Sequence, residues 1–346
     1  MKNVFIIFCF MISFFSCSKD GLYLEDIPNP NVLRSTEIDL GESHLAFPSI
    51  TGNDDRSKLV LVYRTGETHI SFDGEIVQLE SYDKGKTWKN KRIIYETYNT
   101  DARDPQLMAL SNDRLLCRFF ERESDSESKV KVLISDDFGK SYNGFAEMPF
   151  PTKNETFAAA RGNMVMVDDV IYAICYNRWS QSWIVKSENY GESWNVVSWV
   201  DASLGTESSS FSRINESSLG YINGTLYIVA RTQEDDGYLQ VGKSKDLGKN
   251  WEWDVLPIRG QAPSLTQYND GFILTYRYVN MDNNCYDFQI ALLKDGKLNS
   301  TPVSLFTSTS FDIGYGDVLT LEETFLVCCY QPNMIKCYEV KYDIFN

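Results

Sequence analysis

The chain is poor in several things that would each announce a chemistry. Only two of its 346 residues are histidine, His44 and His69. None of its eight cysteines forms a C-x-x-C pair or sits at zinc-ligand spacing from a histidine, so no metal site is legible and no cofactor is expected. Basic residues are short: 33 Lys and Arg stand against 48 Asp and Glu, a net charge of −15. That excludes the broad basic face that nucleic-acid binding requires. It leaves room for an anionic small ligand, because a local arginine cluster outweighs a negative surface at short range. No segment beyond the first sixteen residues is apolar enough to cross a bilayer.

What is present begins with a targeting segment. Lys2 precedes an apolar run from Val4 to Phe15, broken only by Ser13 and too short for a permanent membrane helix. The run ends in Ser16-Cys17-Ser18, which resembles a bacterial lipoprotein signal. The resemblance implies that Cys17 is lipidated and anchors the chain to the outer membrane, on its periplasmic or surface side; plain secretion is the alternative. Cys117, Cys175, Cys285, Cys328, Cys329 and Cys337 read as buried small side chains, with room for one disulfide.

Aromatic residues are abundant at 14%, as strands favour. Four segments repeat: SYDKGKTW (Ser81 to Trp88), SDDFGKSY (Ser135 to Tyr142), SENYGESW (Ser187 to Trp194) and SKDLGKNW (Ser244 to Trp251). They recur every 52 to 57 residues, a period that signals a propeller or solenoid. The chemistry of the box is structural. Its Asp, Asn189 in the third copy, accepts backbone N–H bonds across a turn, and its Gly supplies positive φ.

A second repeat lies upstream of each box. Strands LVLVYR, LLCRFFER, YAICYNR, LYIVAR, FILTYR and FLVCCYQ end at Arg64, Arg122, Arg178, Arg231, Arg277 and Gln331. Six such units predict an all-β fold, a six-bladed β-propeller of four-stranded antiparallel blades whose last two blades have lost the box. The segment Val32 to Leu45 is expected to supply the closing strand, since an open ring leaves edge strands unpaired. The expected organisation is a signal peptide at 1–16, a lipidated linker at 17–31 and one propeller domain at 32–346, acting as a monomer.

The boxes and unit count resemble the sialidase-like (Asp-box) six-bladed propellers, from about Ser43 to the C-terminus. The resemblance implies a set of site residues. Tyr315, in DIGYGDV, matches the nucleophile, and Glu216, in RINESSLGY, matches its assisting glutamate. Arg231 and Arg277 match two carboxylate-binding arginines; Arg64 matches a further family arginine. Asp104, in DARDPQL, falls near a pocket-lining aspartate. Two positions depart from the pattern. Ala46, in HLAFPS, stands where sialidases carry an arginine, and His69 occupies the place of the acid/base aspartate.

These residues define the expected chemistry. Arg64, Arg231, Arg277 and Arg178, with His44 and Asp104, are the candidate binding groups; guanidinium forks match carboxylate and sulfate oxygens. Tyr315, His69 and Glu216 are the candidate catalytic groups. Arginine neutralising a uronate carboxylate acidifies the adjacent C5 proton. Tyr or His can remove it while the other protonates the group leaving C4. The reading placed first is therefore β-elimination on acidic oligosaccharides, ulvan-type fragments being one example, as a lyase or dehydratase. Hydrolysis at a non-reducing end, with Tyr315 as nucleophile, Glu216 as its base and His69 as the acid, is the first rival. A non-catalytic glycan-binding lipoprotein, with Trp179 and Trp183 as a sugar platform, is the second.

Overall fold

The computed structural model describes residues 23–200, 213–232 and 237–346; Cys17 and the targeting segment lie outside the described residues. The fold is all-β, with no α-helix among the described residues. The chain enters through β1 (Leu24–Asp26) and β2 (Val32–Leu40). Next, β3 (His44–Gly52), β4 (Leu59–Gly66), β5 (Glu75–Ser81) and β6 (Lys89–Tyr95) form a four-stranded antiparallel sheet. A second such sheet holds β7 (Asp101–Ala109), β8 (Leu115–Arg122), β9 (Ser128–Ser135) and β10 (Gly144–Glu147). A third holds β11 (Val165–Val167), β12 (Val170–Tyr176), β13 (Ser182–Ser187) and β14 (Asn195–Trp199).

The strands that follow share one nine-stranded sheet: β15 (Ile214–Ile222), β16 (Thr225–Thr232), β17 (Tyr238–Ser244), β18 (Glu252–Tyr268), β19 (Gly271–Asn280), β20 (Cys285–Lys294), β21 (Lys297–Leu298) and β22 (Val303–Ser308), with β1 at its edge. The sheet is large because β18 serves two ladders. Its first half, up to Arg259, pairs with β17, and its second half, from Gly260, pairs with β19. The final sheet holds β23 (Gly314–Thr320), β24 (Thr324–Gln331) and β25 (Met334–Lys341), and its fourth strand is β2, from the other end of the chain.

The second strand of each repeat is buried on both faces, which explains its continuous apolar run. Each sheet stacks on the next. Val60 and Val62 pack on Leu115 and Phe119; Leu116 and Val132 pack on Ala173 and Val185; Ile174 and Ile184 pack on Leu226 and Ile228. The succession continues through Leu239 with Leu274, and Ile290 with Val327. It returns to the first sheet where Leu326 and Cys328 pack on Leu59 and Leu61. The six cysteines named above are all buried.

The boxes form as their chemistry requires. Asp137 Oδ1 accepts from Ser141 N at 2.8 Å, while Gly139 N donates to Ser135 Oγ at 2.8 Å. Burial opposes the charge, but such bonds together outweigh it and hold the Asp83, Asp137 and Asp246 carboxyls down at about 2. All four boxes follow the third strand of a repeat, at the end of the sheet opposite His44 and Arg64.

Candidate active site

The first strands of four repeats are interrupted by the same device. Register breaks at Ala46/Ser49, Arg103/Gln106, Gln261/Ser264 and Gly314/Asp317. At each break one residue adopts positive φ: Phe47 at 59°, Asp104 at 48°, Ala262 at 51° and Tyr315 at 46°. Pro48, Pro105, Pro263 or Gly316 comes next, then a polar residue. Non-glycine residues resist this conformation, so its recurrence marks bulges that re-aim a side chain. The polar residues knit the strands together below the bulges. Ser49 Oγ donates to Asp317 Oδ2 at 2.7 Å, and Gln106 Nε2 reaches the same carboxylate at 3.0 Å. Asn163 N and Leu265 N both donate to Ser218 Oγ at 3.0 Å.

Above this floor stands the Tyr315 couple. The Tyr315 hydroxyl donates to Glu216 Oε1 at 2.5 Å, and Arg231 Nη1 donates to Glu216 Oε2 at 2.9 Å. Burial opposes the Glu216 charge, but Arg231, the Tyr315 hydrogen bond and Arg277 outweigh it and hold the carboxyl at about 2. Burial, and then the Glu216 charge, push the Tyr315 hydroxyl well above its usual range. Two guanidiniums face the Tyr315 ring, Arg277 at 5.2 Å and Arg161 at 5.3 Å from its centroid. At pH 7 the pair is therefore a carboxylate facing a neutral phenol.

The two histidines belong to a second cluster, which closes on itself. Asp101 Oδ1 accepts from Arg64 Nε at 2.6 Å, and Arg64 Nη1 lies 3.1 Å from His44 Nδ1. His44 Nε2 lies 2.8 Å from Asp312 Oδ2, and Asp312 Oδ1 lies 2.8 Å from His69 Nδ1. His69 Nε2 lies 3.3 Å from Arg103 Nη2, and Arg103 Nη1 returns to Asp101 Oδ2 at 2.9 Å. Tyr330 adds a third donor to Asp312, at 2.7 Å. Burial opposes the Asp312 charge, yet the two imidazoles hold its carboxyl far below the usual range. An arginine only donates, so His44 Nδ1 and His69 Nε2 must accept. Each imidazole is thereby fixed as the tautomer whose proton points at Asp312. The ring fits only because Gly66 and Gly74 lack side chains: a Cβ on Gly66 would lie 2.6 Å from Arg64 Nη2, and one on Gly74 would lie 1.9 Å from Asp101 Oδ1.

His44, His69 and Asp312 bring their ligand atoms within 4.8 Å of one another, a cluster the sequence did not disclose. Metal-binding imidazoles turn their outer N–H toward an acceptor. Here both outer nitrogens face guanidiniums, which repel a cation and oppose the required tautomer. The donor set does not fit a metal.

Phe47 joins the two clusters. Its ring centroid lies 5.0 Å from Tyr315, 5.6 Å from His69 and 5.5 Å from Tyr330. Asp104 stands on the neighbouring strand, 3% exposed. Its Oδ1 is enclosed without a hydrogen-bond partner. Burial and the Glu216 charge raise its carboxyl to about 6, despite Arg103, Arg161 and His69.

Several sequence expectations change in the structure. Arg64 is fully buried, and its nitrogens are spent on Asp101, His44, Thr68 and Ser71, so it orders the ring and presents nothing to a ligand. His44 is similarly enclosed between Arg64 and Asp312. Arg277 gives Nε and Nη2 to Gln261 Oε1, at 3.0 and 2.5 Å, so its fork is occupied. Arg122 turns to Asp125 and the Ser124 carbonyl. Arg178 is exposed, stacked 4.8 Å over Trp179. Trp183 is completely buried and packs on Trp199, which removes it from any sugar platform; Trp179 is 62% exposed.

Arg103, Arg161, Asp312, Tyr330 and Phe47 were missed. For Phe47 the signal was available: FPS, DPQ, APS and YGD at 47, 104, 262 and 315 share a turn of Pro or Gly followed by a polar residue. For Asp312 there was none, because its two histidine partners lie more than 240 residues away.

Fold and site together define an all-β protein of the sialidase-like class. Residues 29–328 match the BNR repeat-like domain model, and the chain belongs to that family. No curated protein matches. Among solved structures, a protein of unknown function from Dyadobacter fermentans DSM 18053 superposes with a TM-score of 0.77 at 20% identity, covering 90% of this chain and 100% of that one. The leech intramolecular trans-sialidase gives 0.68 at 11% identity, covering 90% and 71%. The NanB sialidase of Streptococcus pneumoniae gives 0.66 at 10% identity, covering 92% and 72%. Identities this low establish a shared fold.

Proposed function

We propose that this chain is a six-bladed propeller that hydrolyses a glycosidic bond of an anionic sugar, with Tyr315 as nucleophile and Glu216 as its base. Six blades follow if the two halves of β18 are counted in separate sheets, with the sixth blade closed by β2. The observation that carries the chemistry is the 2.5 Å bond from the Tyr315 hydroxyl to Glu216, braced on the far oxygen by Arg231. An ionised glutamate at that distance takes the phenolic proton as Tyr315 attacks. A neutral nucleophile suits an anionic sugar, whose own carboxylate would repel an attacking carboxylate. Arg231 and Arg161 set guanidiniums beside Glu216 and Tyr315 in an otherwise acidic protein. The sialidases among the similar solved structures favour the same reaction type.

Elimination at a uronate falls to second place. It is favoured by His69 and Tyr315 packing on the one Phe47 ring. Against it, both nitrogens of His69 are engaged, and Tyr315 is pushed away from its basic form. Export and lipidation at Cys17 remain our inference from Lys2, the apolar run and Ser16-Cys17-Ser18.

Incubation of the full chain with sialyl- and uronate-ended oligosaccharides tests this. New reducing ends without ultraviolet absorbance are expected. Absorbance from an unsaturated sugar would establish elimination instead. Saturable binding without turnover would establish a glycan-binding protein.

A further inference from the structure

We propose that Asp104, not His69, is the proton donor to the leaving group. The inference rests on the hydrolytic reading of Tyr315 and Glu216. Its first support is that His69, at the position of the family's acid, is unable to act from the state observed. Its Nδ1 proton is committed to Asp312, and its Nε2 accepts from Arg103. A proton added at Nε2 would have to expel a permanently charged guanidinium. The second support is placement. Asp104 occupies the positive-φ bulge position in its strand that Tyr315 occupies in its own. The third is that its carboxyl is enclosed with Oδ1 unpartnered, in a chain where other buried carboxylates are hydrogen-bonded, Asp101, Glu216 and Asp317 among them.

The surroundings set the protonation state. Arg103 lies on the same strand. Arg161 comes from the segment before β11, Glu216 from β15 and His69 from the β4–β5 loop; Tyr315 on β23 also feels its charge. Burial acts first and favours the neutral acid, and Glu216 adds to it. The three cationic or polar neighbours keep the carboxyl from rising beyond about 6. A carboxyl poised there gives a proton near neutrality and takes one back.

The steps balance. Tyr315 oxygen bonds to the anomeric carbon as the bond to the leaving oxygen breaks. The phenolic proton passes to Glu216, and the leaving oxygen receives the Asp104 proton. Water then attacks the anomeric carbon and gives a proton to Asp104. The released Tyr315 oxygen recovers its proton from Glu216.

The test pairs two glycosides of one anionic sugar, with a sugar or a nitrophenolate leaving group. Nitrophenolate departs without a proton. Asp104→Asn is expected to lose about 10²–10⁴-fold in kcat/KM on the sugar leaving group and under about tenfold on the nitrophenyl glycoside. Retained nitrophenyl activity also reports that the variant folds. In the wild type, kcat/KM on the sugar leaving group should fall as pH rises through about 6, and this limb should vanish in Asp104→Asn but persist in His69→Gln. Equal losses on both substrates, or loss of the limb in His69→Gln, would overturn the assignment while leaving the Tyr315 reading intact. Failure of the wild type to turn over either glycoside would overturn the hydrolytic reading and this assignment with it.

Discussion

His69 Nδ1 donates to Asp312 Oδ1 across 2.8 Å, joining two residues 243 positions apart in the chain. The bond lies in a closed circuit through Arg103, Asp101, Arg64 and His44, with two carboxylates and two guanidiniums linked by two imidazoles. The two carboxylates balance the two guanidiniums, which lowers the cost of burying Arg64, Asp101 and Arg103. Removal of any one charge leaves the opposite charge uncompensated.

Replacement within the circuit should therefore show in stability. Asp312→Asn leaves one imidazole N–H facing an amide rather than a carboxylate, at an expected cost of about 1–3 kcal/mol at pH 7. The depressed Asp312 carboxyl contributes stability that is present above the unfolded carboxylate range and is lost as pH falls through its lower folded value. The gap in thermal unfolding temperature between wild type and Asp312→Asn should narrow as pH falls below the unfolded carboxylate range toward pH 2. An undiminished gap there would show that the carboxylate charge is not the cause.

The Tyr315 couple makes a sharper prediction. Tyr315→Phe should abolish turnover and leave the fold intact, since the ring keeps its contacts with Phe47 and Arg277. Glu216→Ala should cost about 3–5 kcal/mol as well as activity, because it leaves the largely buried Arg231 without its carboxylate. Urea unfolding of the two variants separates the effects. The Glu216 contribution is present above the unfolded glutamate range and is lost as pH falls through about 2.

Asp104 should behave in the opposite sense with pH. Its folded carboxyl is raised to about 6, so burial is harmless while it is protonated and costs stability once pH rises through that value. Asp104→Asn should match the wild type near pH 4 and exceed it near pH 7.5, by roughly 3 kcal/mol from a shift of about two pH units. Calorimetry across this range checks it, independently of any substrate.

The boxes should affect stability alone. Gly191 has φ of 95°, and a Cβ there would lie 2.8 Å from Leu116 Cδ1. Gly191→Ala should lower stability by about 1–3 kcal/mol through strain and clash. With this box following β13, in a different sheet from Tyr315 on β23, kcat/KM should stay unchanged in the folded fraction.

The terminal strand offers a test of closure. β2 supplies the outer strand beside β25. Deletion through residue 22 should be tolerated, whereas deletion through Gly41 should expose the β25 edge and produce aggregation, read by size-exclusion chromatography.

Much of this was legible in the chain. The four boxes announced their turns, because Ser, Asp and Gly act within a few residues of one another. Runs such as LVLVYR announced strands buried on both faces. Tyr315, Glu216 and Arg231 were chosen from their motifs, and the structure brings them together. Arg64 and Arg277 were chosen by the same reasoning and meet protein rather than solvent. A motif reports where a side chain departs from the backbone, while its partners are set by packing.

The sequence by itself determined the repeat, the strands and the residue types that could carry chemistry, because those depend on local periodicity and turn geometry. Tertiary structure decided which nitrogen of His69 carries the proton, since Arg103 reaches it from β7 and Asp312 from the loop between β22 and β23. It also decided that Asp104 lies enclosed and without a hydrogen bond to Oδ1. Protonation follows from desolvation and from charges brought within a few ångströms, and only the assembled sheets fix those distances.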